Sequence, residues 1–330
     1  MKSLRIIILF AIISNLQATS SLFDSLYLEE RVALEQAKYT GWVMDWFDYD
    51  PELPFTREQR IRYGYFEENK TVEFKGNILY LQGLGDSMLN HKPLFDFLSD
   101  RGYRILSFDY QGQGGSGGSM NHTRIRDRYF PELEIKVLAK RNWEKFARIE
   151  ESKESDRIVL GWSTGGLAAY SLAEEEWADR VILLAPGISP KAIFGDKFKI
   201  IKDTLTRREF VPSQDPHLDP IRPSTPIKVP LFSLNLLATA KASQKWKISS
   251  DIEGIAFFGG EKSDRYVFAR KSIRILKRNA KHFSVHQYKD AYHELDNEIS
   301  EVSEDLFHKI ADFLDRTHPD KREEHEEKED

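Results

Sequence analysis

Arg157-Ile158-Val159-Leu160-Gly161-Trp162-Ser163-Thr164-Gly165-Gly166 is the stretch on which this chain turns. Ile158, Val159 and Leu160 form a short apolar run with two β-branched members, which predicts a buried strand. Gly161–Gly165 has the G-x-S-x-G spacing, and Leu167–Ala173 behind it reads as a helix. Strand, tight turn and helix in that order are the setting in which this pattern makes a nucleophile elbow. A serine at the tip of a strained turn leaves no room for Cβ atoms two residues to either side, hence the glycines. Such a turn lifts the Ser163 hydroxyl above the sheet and aims a helix N-terminus at any oxyanion formed there. Glycine and serine are common in loops, so the five residues alone fit an ordinary strand-to-helix turn as well. The flanking elements and the partners below favour the elbow.

Working outward, hydrophobic runs alternate with amphipathic stretches. Gln59–Glu67 and Thr71–Phe74 predict an antiparallel pair turned around Asn69-Lys70. Asn77–Leu81 predicts a strand running into a glycine turn. Lys92–Arg101 predicts an amphipathic helix with Leu94, Phe95 and Leu98 on one face. Arg104–Asp109 is the next strand, followed by the glycine-rich loop Tyr110–Ser119 and a long charged helix, Phe130–Glu151. Asp179–Ala185 is the strand after the elbow. The pattern resumes at Gly254–Gly260, then a helix Tyr266–Asn279, a strand Phe283–Tyr288 and a helix Ser300–Arg316. Repeated strand–helix units predict a mostly parallel central sheet with helices on both faces, and ligands in such sheets bind at the carboxyl ends of the strands.

The remaining stretches break this rhythm. Residues 188–251 form a long detour holding lysine-rich pieces and the proline-rich Pro212–Pro230; an insertion of that length predicts a cap over the strand ends. Leu22–Thr40 reads as a helix, and Trp42, Trp46, Phe47 and Tyr49 as an aromatic cluster that packs against the domain. Residues 1–20 have a basic start at Lys2 and Arg5, an unbroken apolar run Ile6–Ile13, and small residues at Ala18 and Ser20. That is the layout of a signal peptide, which predicts export; an uncleaved signal anchor is the alternative. Residues 318–330 are almost all charged and predict a disordered tail. The core is thus expected in two parts, 21–187 and 252–317.

Composition narrows the function. The chain has 330 residues, 40% hydrophobic and 31% charged, with a net charge of -5 and no cysteine. A mildly acidic chain does not suit general nucleic-acid binding, and the lack of thiols excludes disulfides, thiol catalysis and cysteine metal sites. No zinc-ligand spacing or dinucleotide fingerprint is present. Asn69-Lys70-Thr71 and Asn121-His122-Thr123 match the glycosylation pattern, which matters only in a eukaryotic secretory pathway. The cations Lys191, Lys197, Lys199, Lys202, Arg207 and Arg208 in the detour fit either transient contact with anionic headgroups or a solvated helix face.

A serine hydroxyl needs a base, and the base an orienting acid. Of nine histidines, His91, His122 and His217 lie before or within the detour; His282 and His286 flank or occupy a strand; His308, His318 and His325 fall in the last helix and the tail. His293 follows a late strand and precedes the closing helix, where the order Ser, acid, His places the base. Behind Gly254–Gly260, Glu261 and Asp264 are the candidate acids. Asp264 is preferred because it opens the next helix, where it could equally serve as an N-cap. Asp290 is a weaker alternative, too close in sequence to His293. An oxyanion hole requires two backbone N–H donors: Thr164, after the nucleophile, and Leu84, in the turn Gln82–Ser87.

In these pieces the chain resembles the α/β-hydrolase superfamily, and within it the lysophospholipase and monoacylglycerol lipase group. The resemblance runs from about Gly76 to Leu314 and is weakest across 188–251. It is carried by Leu81–Ser87, by Arg101-Gly102-Tyr103 with Phe108–Ser116, by Gly161–Gly166, by Phe257–Gly260 with Asp264, and by Ala291–Leu295. It implies a Ser163–Asp264–His293 triad, an acyl-enzyme, no cofactor, a cap shaping an acyl pocket, and single-chain lipid esters as substrates. Acyl transfer, thioester or peptide hydrolysis, and a non-catalytic binding role are the alternatives on the same fold. The chain departs from the group at three places: Gln82 stands where a histidine is usual, Trp162 precedes the nucleophile, and Asp109–Ser116 lacks the arginine and histidine of D-x-R-G-H-G-x-S.

Overall fold

A computed structural model describes residues 41–48, 60–110, 113–116, 131–149, 156–191 and 230–316. The signal-peptide, N-terminal helix and C-terminal tail expectations lie outside these residues, as does 192–229 of the expected cap.

Eight strands form one sheet: β1 (Trp42–Asp48), β2 (Arg60–Phe66), β3 (Gly76–Leu81), β4 (Tyr103–Phe108), β5 (Ile158–Trp162), β6 (Arg180–Leu184), β7 (Glu253–Phe258) and β8 (Ser284–Gln287). Their spatial order is β1-β2-β4-β3-β5-β6-β7-β8. β2 pairs antiparallel with both β1 and β4, and every pairing from β4 to β8 is parallel. The helices are α1 (Lys92–Ser99), α2 (Pro131–Phe146), α3 (Thr164–Glu174), α4 (Pro230–Ser243), α5 (Ala269–Asn279) and α6 (Ser300–Leu314). This is the expected α/β-hydrolase architecture.

The period-two alternation of the strands sorts the core into two layers. Ile78, Tyr80, Ile158, Leu160, Trp162, Ile182, Leu184, Ile255 and Phe257 pack with α1 and α6 on one face. Leu79, Leu81, Val159, Val181, Leu183, Ala256 and Phe258 pack with α2, α3 and α5 on the other. Because β3, β5 and β6 are buried along their whole length, their Ile78–Leu81, Ile158–Leu160 and Val181–Leu184 segments read as continuous apolar runs.

Two expectations are corrected. The antiparallel partners of β2 are β1 and β4, not Thr71–Phe74, and Trp42, Trp46 and Phe47 of the expected aromatic cluster belong to the strand β1, while Tyr49 lies outside the described residues. Trp42 and Met44 are buried while Asp45 between them and Trp46 is exposed, a strand alternation that the density of aromatics disguises. Asn69 explains the fate of 71–74: its Oδ1 accepts from the Thr71 N–H at 3.0 Å and from the Thr71 hydroxyl at 2.8 Å, closing a local turn. The described ends of the 188–251 stretch pack on the core. Ile188 is fully buried, Ile248 joins the α3–α5 layer, and the Tyr170 and Trp246 rings meet at a tilt with centroids 5.8 Å apart. None of the described helices is long and apolar enough to cross a membrane.

Candidate active site

β5 delivers Ser163 at the carboxyl edge of the sheet with φ 54° and ψ -112°, a left-handed conformation that a non-glycine residue holds only when its surroundings over-determine it. Those surroundings are explicit. The Ser163 N–H donates to Leu184 O at 2.9 Å, and the Ser163 carbonyl accepts from Gly187 at 2.8 Å and Leu167 at 3.1 Å. A Cβ at Gly161 would lie 2.4 Å from Gly165 O, and one at Gly165 only 2.0 Å from Leu81 O. The glycines of the motif are therefore required by the close passage of β3, β5 and α3.

His293 stands opposite. Its Nε2 is 2.8 Å from Ser163 Oγ and its Nδ1 2.9 Å from Asp264 Oδ2. The three side chains come from turns after β5, β7 and β8, which the parallel sheet brings to one edge. The turn after β7 is tied to the turn after β8 by Gly260 N–H donating to Ala291 O at 2.9 Å. Trp162, the residue before the serine, donates from Nε1 to His293 O at 3.1 Å.

Asp264 is almost completely buried, and its other oxygen accepts from the Tyr266 and Val267 N–H groups at 2.7 and 3.0 Å. Burial by itself would raise the carboxyl's pKa. The facing imidazole and the two backbone donors outweigh it, holding the group below the usual carboxylate range. A carboxylate so placed fixes a proton on Nδ1, which leaves Nε2 free to accept the serine's proton. The rival acids are placed elsewhere. Glu261 accepts from the Arg270 N–H at 2.7 Å in the first turn of α5, and Asp290 is exposed.

The two expected oxyanion donors belong to segments that are bonded together next to the serine. Thr164 opens α3, and Leu84 lies in the turn after β3, which is joined to α3 by Gly165 N–H donating to Gln82 O at 3.0 Å. Among the described residues neither the Leu84 nor the Thr164 N–H has a protein acceptor. The neighbouring N–H groups of the turn are engaged: Gly85 donates to Gln113 Oε1 and Met88 to Asp109 Oδ1 at 2.7 Å. Gln82, where the related group has histidine, is buried and donates from Nε2 to Asp86 O at 3.2 Å.

Several residues supporting this edge were not singled out by their sequence. Arg62 of β2 is fully buried; its guanidinium meets Asp109 at 2.5 Å and donates to Ser87 Oγ at 3.0 Å. It sets a buried cation against the Asp109 carboxylate. His91, set aside because of its early position, is also fully buried, between Asp86 and Asp296. Its signal is faint: a histidine five residues past an aspartate in the turn after β3. Of the cations assigned to the detour, Lys191 points inward, its ammonium donating to Glu261 O at 2.9 Å and to Asp264 O. The other five lie outside the described residues. Among the described residues no cluster of histidine and carboxylate side chains is arranged to hold a metal ion.

Comparison with known proteins bears on the fold. The Hydrolase_4 family model, described as serine aminopeptidase, S33, matches residues 72–230. A soluble variant of monoglyceride lipase from Saccharomyces cerevisiae, solved with a substrate analogue, superposes with a TM-score of 0.64 at 15% identity, covering 84% of this chain and 96% of that one. Monoacylglycerol lipase from Paleococcus ferrophilus gives 0.54 at 17% identity, over 77% and 98%. A thioesterase domain from the curacin biosynthetic pathway gives 0.52 at 13% identity, over 83% and 98%. No curated protein sequence matches the chain. The chain is a protein of the α/β-hydrolase fold, similar over residues 72–230 to the serine aminopeptidase S33 (Hydrolase_4) family.

Proposed function

We propose that this protein is an exported serine hydrolase that cleaves carboxylic esters through an acyl-enzyme, with single-chain lipid esters such as lysophospholipids or monoacylglycerols as substrates. One observation carries the chemistry: His293 stands within hydrogen-bond reach of both the Ser163 hydroxyl, at 2.8 Å, and the Asp264 carboxylate, at 2.9 Å. In the first half-reaction the Ser163 proton passes to His293 Nε2 as Oγ attacks the ester carbonyl carbon. The carbonyl oxygen becomes an oxyanion held by the Leu84 and Thr164 N–H groups, each donor contributing ~3 kcal/mol to the transition state. The alcohol leaves with the proton from Nε2. In the second half-reaction water gives its proton to Nε2, attacks the acyl carbon, and the acid departs as Oγ recovers the proton. Asp264 remains a carboxylate throughout and orients the ring.

Lipid esters are favoured by the fold of the two lipases above, and export by the basic and apolar start of residues 1–20. Thioester or peptide cleavage is the second reading, favoured by the S33 description and the thioesterase neighbour. The test is hydrolysis of p-nitrophenyl esters, monoglycerides, lysophospholipids, acyl thioesters and aminopeptidase substrates by the wild type and Ser163→Ala. The expected result is activity on the lipid esters that Ser163→Ala abolishes with its melting temperature unchanged, together with fluorophosphonate labelling at Ser163. Undiminished hydrolysis by Ser163→Ala, or no labelling of that serine, refutes the assignment. N-terminal sequencing of the mature protein checks cleavage near Ala18 or Ser20.

A further inference from the structure

Behind the oxyanion turn lies a second imidazole between two carboxylates that takes no part in the chemistry above. His91 Nε2 is 2.6 Å from Asp86 Oδ2, and its Nδ1 is 2.5 Å from Asp296 Oδ2. All three groups are buried. Asp86 belongs to the turn that carries Leu84, two residues away. Asp296 belongs to the short 3-10 turn Leu295–Asn297, three residues past His293. A second bond runs parallel to this bridge, from Asn297 Nδ2 to Asn90 O at 3.2 Å, and Asn90 Nδ2 donates to Asp86 Oδ1 at 2.9 Å. The loop after β3 and the loop after β8, more than two hundred residues apart in sequence, are thus joined side chain to side chain.

Trp162 completes the connection. Its ring lies 5.5 Å from the His91 ring and 5.5 Å from the His293 ring. Against Gly83 it packs so closely that a Cβ there would sit 2.4 Å from the indole. The segment before Ser163, the turn before Leu84 and the loop of His293 therefore share one packed unit, with His91 at its centre.

We propose that the Asp86–His91–Asp296 bridge is a clamp that sets the spacing between the oxyanion turn and the base, making His91 a positioning residue for the reaction at Ser163. This rests on the serine-hydrolase reading. Two facing carboxylates each accept a hydrogen bond only if both ring nitrogens donate, so the clamp needs an imidazolium. Burial opposes that charge; Asp296 and Asp86 outweigh it and hold the imidazole well above its ordinary pKa. The clamp therefore stays closed across neutral pH. Charge-assisted bonds of this length are stiff, and stiffness matters here because displacing a catalytic group by about 1 Å costs on the order of a hundredfold in rate.

The oxyanion donors and the base act chiefly in the transition state, so a loosened clamp lowers kcat and spares KM. The test uses the full chain with a soluble p-nitrophenyl ester and the rate of fluorophosphonate labelling of Ser163. His91→Phe and Asp296→Ala are each expected to lower kcat by about 10- to 100-fold, with KM within about twofold. Labelling slows in parallel, and the double variant is no worse than the weaker single. Asp86→Asn, whose amide can donate to a neutral imidazole, recovers most of the kcat lost by Asp86→Ala. Singles that retain kcat within twofold, a loss that falls on KM, or additive losses in the double variant overturn the clamp. If His91→Phe fails to fold, the Asp296→Ala result and the Asp86→Ala and Asp86→Asn pair decide alone. A wild type that neither labels nor hydrolyses any substrate refutes the serine-hydrolase reading instead.

Discussion

Asp264→Asn isolates the electrostatic part of the site from its architecture. Asparagine matches aspartate in shape, and its Oδ1 can still accept from the Tyr266 and Val267 N–H groups, at 2.7 and 3.0 Å in the native loop. Those two bonds dictate the orientation of the amide, so its NH2 group faces His293 Nδ1 at the native separation of 2.9 Å. Two donors cannot face each other; the imidazole must move its proton to Nε2 and accept at Nδ1. Nε2 then has no lone pair for the Ser163 proton, although the heavy atoms have hardly moved. Amidating the orienting acid of a Ser-His-Asp triad lowers kcat about 10⁴-fold, which corresponds to roughly 5.5 kcal/mol of activation free energy. The assay is steady-state hydrolysis of a p-nitrophenyl ester across neutral pH, with fluorophosphonate labelling as the active-site count. The same variant carries a stability prediction. A carboxyl held below its ordinary pKa stabilises the fold above that value, and the contribution is lost as pH falls through the lowered one. Asp264→Asn should therefore remove part of the wild type's acid-induced loss of stability. A kcat within tenfold of wild type would refute the assignment of Asp264 as the orienting acid.

Three further outcomes follow from the same structure. Gly165→Ala puts a methyl group 2.0 Å from Leu81 O; β3 and α3 must separate, at a cost of roughly 1–3 kcal/mol, and kcat falls with stability, both read from urea melts and turnover of one preparation. Arg62→Met leaves Asp109 buried without its guanidinium and should destabilise by about 3–5 kcal/mol; an unchanged urea midpoint would show that the Met88 and Gly115 N–H donors suffice for that carboxylate. Glu294 is buried, and burial pushes its carboxyl up from 4.5 to about 8. Its folded state holds a proton that the unfolded chain releases above 4.5, so it erodes stability progressively between pH 4.5 and about 8. Glu294→Gln should exceed the wild type in melting temperature by a margin that widens over that window and then levels; a margin independent of pH would exclude the buried acid as its cause.

Local signals carried the sheet strands and the elbow because each is written in adjacent residues. Ile158–Leu160, Val181–Leu184 and Ile255–Phe258 are buried on both faces, so the runs are apolar without interruption. Gly161 and Gly165 are read directly because the steric demand falls on the residue itself. Ser163, Asp264 and His293 were legible by order: each follows a strand of a parallel sheet, and such strands end at one edge. β1 was not legible, since Trp42–Asp48 acquires its alternation only against β2.

The amino-acid sequence by itself determined the strand–helix alternation, the strained serine turn and the chain order of nucleophile, acid and base, because hydrophobic periodicity and glycine sterics act over a few residues. Tertiary structure alone decided which charges meet. Arg62 finds Asp109 across 47 residues and His91 finds Asp296 across 205. A buried ion is tolerated only beside its counter-ion, and nothing near Arg62 or His91 in sequence tells that partner's position. The contacts that hold the edge of the site rigid are therefore the ones that folding, not local pattern, brings together.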